Sequence, residues 1–151
     1  MTEPRPTRPG NLRLRPAPDG LPDPSLQPPT VAEAGDPFAA LRIVTLLARV
    51  ERGVPILLDD LVASLNATWL DWLFPRGVVA DAILQLQANW MGDYRNASGI
   101  VVDEGPTGVA VTIEDSSRVD PWIVRQAARL AAECRERLVE FSRLDRLAGE
   151  G

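Results

Sequence analysis

The sequence predicts a mainly α-helical fold with a small β-sheet and a long amphipathic helix at its C-terminal end. Three observations carry this. Apolar residues recur at helical spacing in several stretches after residue 36. Two short β-branched runs, 99–103 and 109–114, flank a Gly-Pro turn. Residues 121–148 form one unbroken heptad-like pattern with mixed charges on its polar side.

The first 35 residues differ from the rest. They hold nine of the chain's fourteen prolines, and their apolar residues follow no period. Such a stretch buries too little apolar surface to offset its ordering entropy, which predicts a disordered Pro/Arg-rich tail over 1–35. About 115 residues remain, enough for one ordinary core.

Asp36-Pro37 is a helix start, with Asp as N-cap and Pro in the first turn. In FAALRIVTLLARVERG, Phe38, Leu41, Val44, Leu47, Ala48 and Val50 share one face, and Gly53 is the expected stop. Val54-Pro55-Ile56-Leu57 is too short for a helix and reads as an edge strand, where proline is tolerated. Asp59 or Asp60 is the expected cap of a second helix, DLVASLN, with Leu61, Val62 and Leu65 inward.

Asn66-Ala67-Thr68 offers a turn, and WLDWLF over 69–74 a further helical turn. Pro75 then opens a third helix, in which Val79, Ile83, Leu86 and Trp90 make a buried stripe and Gly92-Asp93 the end. The runs around Gly99–Asp103 and Val109–Glu114 form a hairpin through Glu104–Gly108. Asp120-Pro121 repeats the Asp–Pro start, and Gly149 ends the last helix. At about 1.5 Å per residue that helix is about 40 Å long.

With the short strand beside the hairpin, the order of elements over residues 36–115 resembles a winged helix-turn-helix domain. The resemblance implies duplex DNA binding, the third helix entering the major groove and the hairpin wing lying on the backbone. It equally fits relatives that use the scaffold for protein contacts. Residues 116–151 form a separate long helix for packing or dimerisation.

Charge weighs against the DNA reading. Residues 36–115 carry five Arg against eleven acids. Phosphate neutralisation supplies most duplex affinity. On the third helix only Arg76 is cationic, with Gln85 and Asn89 as base readers. The wing bears Asp103 and Glu104. If DNA is nevertheless the target, Arg76, Gln85 and Asn89 are its contacts, and Arg5, Arg8, Arg13 and Arg15 of the tail could supply phosphate or minor-groove contacts.

The apolar surplus points to protein partners instead. Trp69, Trp72 and Phe74 crowd one turn, and tryptophan is enriched among residues that dominate binding energy. Burial between the second and third helices is the alternative for this stretch. On the last helix Ile123, Ala127, Leu130, Cys134, Leu138 and Phe141 form a stripe longer than a small domain covers. Leu130, Leu138 and Phe141 are therefore expected at a homodimer contact, full packing within one chain being the other outcome.

The chain has no histidine and no lysine, and its single Cys134 lies within the stripe. General base, Schiff-base and thiolate-metal chemistry lose their usual carriers. Its acids pair only as sequence neighbours. The expectation is a non-catalytic protein without metal or cofactor. No run reaches the length of a membrane span and no apolar signal core follows the N-terminus, so a cytoplasmic adaptor or accessory subunit is expected.

Overall fold

The structure is a computed structural model that describes residues 12–25, 36–70, 73–94 and 99–150. It is mainly helical with one small antiparallel sheet. The elements are α1 (Pro37–Arg49), β1 (Ile56–Leu57), α2 (Leu58–Thr68), α3 (Arg76–Asp93), β2 (Ile100–Gly105), β3 (Gly108–Ile113) and α4 (Val119–Glu150). The sheet runs β1-β3-β2, with both pairs antiparallel.

Helix α1 begins as its sequence predicts. The Asp36 carboxylate accepts from the Phe38 amide at 2.9 Å, and Pro37 follows the cap. Its burial exceeds the predicted single face: Ala39, Ile43 and Thr45 are buried too. A helix apolar all round belongs at the centre of a fold. Helix α4 packs against it, and the segment 12–25 borders it through Leu14 and Arg15. The helix stops at Arg49 rather than at Gly53. The Arg52 guanidinium donates to the carbonyls of Leu47, Ala48 and Val50, satisfying acceptors left open at the helix end. Gly53 then turns at φ +75.

Residues 12–25 depart from the predicted disordered tail. Leu14 makes an antiparallel bridge to Val50, and the Arg15 amide donates to the Arg49 carbonyl at 2.7 Å. Leu12 and Leu21 pack against the core. Their apolar surface, too sparse to show a period, finds its partners only in the folded core. Residues 1–11 and 26–35 lie outside the described residues.

Helix α2 starts at Leu58 without a side-chain cap; Asp59 and Asp60 sit in its first turn instead. It extends through Thr68, past the predicted turn at Asn66. No helical turn follows over the described part of 69–74. The Asn66 side chain instead accepts from the Phe74 amide at 2.8 Å and donates to the Phe74 carbonyl at 3.2 Å. That clamp holds the backbone in a non-helical path into α3.

The four predicted stripe residues of α3, namely Val79, Ile83, Leu86 and Trp90, are its buried residues. Trp90 meets Trp122 edge-on at 5.1 Å between ring centroids. A Cβ on Gly99 would lie 2.1 Å from Trp90 Cε2, so this close crossing needs glycine. In α4, Val119, Trp122, Ile123, Ala127, Ala131 and Cys134 are buried. The first half of α4 is thus part of the core. Asp120 lies inside the helix rather than capping it, and its carboxylate binds Arg15 and Arg52.

Candidate interaction surface on the third helix and the hairpin

Helix α3 crosses behind the β2–β3 hairpin, and the two enclose a groove of about 310 Å³. Its walls are mainly apolar: Ala80 and Leu84 from the helix, Val102 from β2, Val109 from β3 and Leu58 from α2, with Arg76 and Gln87 of α3 beside them. Leu84 is 49 % exposed, a large apolar side chain left in solvent on the helix face. Glu104 closes one end. At the hairpin tip Asp103 and Glu104 are exposed, and the chain turns through Pro106-Thr107 into Gly108.

The three polar residues expected to read DNA are each engaged within the protein. Arg76 Nε donates to Asp59 Oδ1 at 2.7 Å, so the one cation of α3 is held in an exposed ion pair with α2. The Gln85 amide donates to Asn89 Oδ1 at 3.0 Å across one helical turn. Gln87 reaches the other way, donating to the Ile100 carbonyl at 3.2 Å.

A second groove, about 520 Å³, lies between α1, α3 and α4. Gln85 and Asn89 line it, and so does Leu130 of α4. Residues that the sequence assigned to two different targets therefore share one surface. The groove also carries Asp36, Asp81 and Glu133 against Arg129, an acidic excess.

Comparison with protein-family models, with curated proteins and with solved structures gives no match to this chain. Any role therefore rests on its own chemistry.

The aromatic stretch is divided rather than gathered. Phe74 is 1 % exposed and belongs to the core, so it is not available to a partner as expected. Trp69 is half-buried, with the Arg42 guanidinium 3.9 Å above its ring. Leu70 is 86 % exposed, and Leu73 is exposed as well. Trp72 lies outside the described residues. Arg42 is a buried cation that sequence reasoning passed over: it sits on the central helix and donates from Nε to the Pro24 carbonyl at 3.1 Å. Nothing in a helical pattern signals a partner eighteen residues away in a proline-rich segment.

On α4, Leu130 and Leu138 are half-buried, while Val139 is 70 % exposed. The Phe141 side chain lies outside the described residues. Cys134 is buried, and burial pushes its thiol up to about 11. It stays protonated and acts as a small apolar side chain. Among the described residues no group of three or more acidic or cysteine side chains is placed to hold a metal ion.

Proposed function

We propose that this protein is a non-catalytic protein-binding adaptor or accessory subunit of the cytoplasm. It is built on a winged helix-like scaffold and self-associates through the far half of α4. The observation that carries this reading is the face made by α3 and the hairpin. On a DNA-binding winged helix this face must hold phosphates, and phosphates need free cations. Here the cation Arg76 is paired with Asp59, the hairpin tip carries two acids, and the groove between them is mainly apolar. Such a surface repels a polyanion and gains from covering apolar area.

Of the tail arginines, Arg5 and Arg8 lie outside the described residues, and the two that are described carry partners. Arg15 is engaged by Asp120, and Arg13 lies 3.8 Å from Glu51. Among the described residues no helix is long and apolar enough to cross a membrane.

The reading is tested by retaining proteins from the source cells on the immobilised full chain. A partner held in fixed stoichiometry by the wild type, and lost by Leu84→Glu or Leu70→Glu at unchanged melting temperature, is the expected outcome. Retention of nucleic acid with no protein, insensitive to either change, would contradict it.

A further inference from the structure

The hairpin has an edge that the rest of the fold leaves open. In the β2–β3 ladder Ile100 faces Ile113 and Val102 faces Val111. The Glu114 amide donates to the Gly99 carbonyl at 2.8 Å, which makes the facing residues 99 and 114 a hydrogen-bonded pair. Such pairs alternate along an antiparallel ladder. The peptide groups of Val101, Asp103 and Gly105 therefore point to β3, and those of Ile100, Val102 and Glu104 point outward. Two bonds agree with this parity. Gln87 donates to the Ile100 carbonyl from outside the sheet, and Gly53 takes the Ile113 carbonyl on the far side of β3. Among the described residues nothing bonds the outward peptide groups of Val102 and Glu104.

Those two residues also line the groove under the hairpin, together with Ala80, Leu84 and Val109. An added strand would find backbone partners at the edge of β2 and a socket for its alternate side chains between the sheet and α3. The socket is mainly apolar, with Glu104, Gln87 and Arg76 as its polar members and Arg76 matched by Asp59. Asp103, on the other face of β2, is exposed and acidic. Sheet edges are normally blunted by charged residues or proline. β2 has no proline, and its charges, Asp103 and Glu104, are confined to the end near the turn, leaving Ile100–Val102 without one.

We propose that β2 accepts an extended segment of a protein partner as a fourth strand, with apolar residues at alternate positions entering the groove and a Lys or Arg on the other face, opposite Asp103. This deepens the protein-binding reading above and rests on it.

The test is a titration of the ¹⁵N-labelled full chain with an octapeptide of alternating valine and lysine. Two control peptides accompany it: one with glutamate in place of lysine, and one N-methylated on the amides of its bonding edge. The amide signals of Val102 and Glu104 should shift and gain protection from exchange. The glutamate and N-methylated peptides should fail. Asp103→Lys should weaken the valine–lysine peptide by about tenfold, the product of a lost and a reversed cross-strand charge pair.

Equal binding of the N-methylated peptide, or shifts confined to the α1–α3–α4 groove, would overturn strand addition while leaving a protein-binding role standing. Loss of the β2 signals on mixing two copies of the chain without peptide would make the occupant a second copy and overturn the proposal. No peptide binding, together with salt-sensitive retention of a generic duplex, would overturn both readings.

Discussion

Asp120 joins three parts of the protein at one carboxylate. It receives Arg52, which closes the end of α1, and Arg15, which anchors the segment 12–25. The Arg52 side chain is only 7 % exposed, and burial lowers its pKa, while Asp120 works to restore it. Burial by itself would raise Asp120, yet the hydrogen bonds from Arg52 and Arg15 hold it below its usual range. A depressed carboxylate adds stability above its unfolded value, near about 3.9, and that stability is lost as pH falls through the lower folded value. Wild type should therefore lose more stability between pH 5 and pH 2 than Asp120→Asn does. At neutral pH, Asp120→Asn should cost about 1–3 kcal/mol in urea unfolding, because the buried guanidinium of Arg52 loses its bonded carboxylate. Faster amide exchange over residues 12–25 should accompany the loss.

Gly99 is a second decisive residue. Gly99→Ala must displace the Trp90 ring, which also lies tilted against Tyr94 and meets Trp122. Overpacking of this kind costs about 2–3 kcal/mol. The loss should appear as a lower melting temperature with altered tryptophan fluorescence.

At the scale of elements, the sequence was most legible where a helix has one buried face. Val79, Ile83, Leu86 and Trp90 of α3 repeat at 3.6 spacing and are the residues that the helix buries. Legibility failed where burial comes from distant parts of the chain. The buried Ala39 and Ile43 of α1 lie off its predicted stripe. Phe74 read as a candidate contact because its burial depends on the side chain of Asn66, eight residues earlier, fixing a non-helical backbone. Phe74→Ala should cost about 3–5 kcal/mol by emptying a core site, whereas Leu70→Ala should stay within about 0.5 kcal/mol. Urea denaturation separates the two.

Helix α4 divides in the same way. Up to Cys134 it faces the core; beyond, Val139 and Leu147 are exposed and Leu138 is half-covered. If this half pairs with a second copy, Val139→Asp combined with Leu147→Asp should turn a dimer into a monomer in sedimentation velocity. The melting temperature at high dilution should remain unchanged.

At the scale of the molecule, the distribution of charge matters more than its sum. The net charge is −5, and residues 36–115 contribute six negative charges in excess. This much was readable from composition. Pairing was not. That Arg76 spends its charge on Asp59 and Arg15 on Asp120 depends on contacts between residues 17 and 105 positions apart. The Arg76 pair leaves no unpaired cation among the described side chains of α3 and the hairpin.

The most direct test of that electrostatic account is the affinity of the full chain for a generic duplex, followed by anisotropy across a salt series. Affinity weaker than about 10⁻⁴ M even at low salt, with no steep dependence on ionic strength, is the predicted result. Micromolar binding that falls by orders of magnitude as salt rises would contradict it.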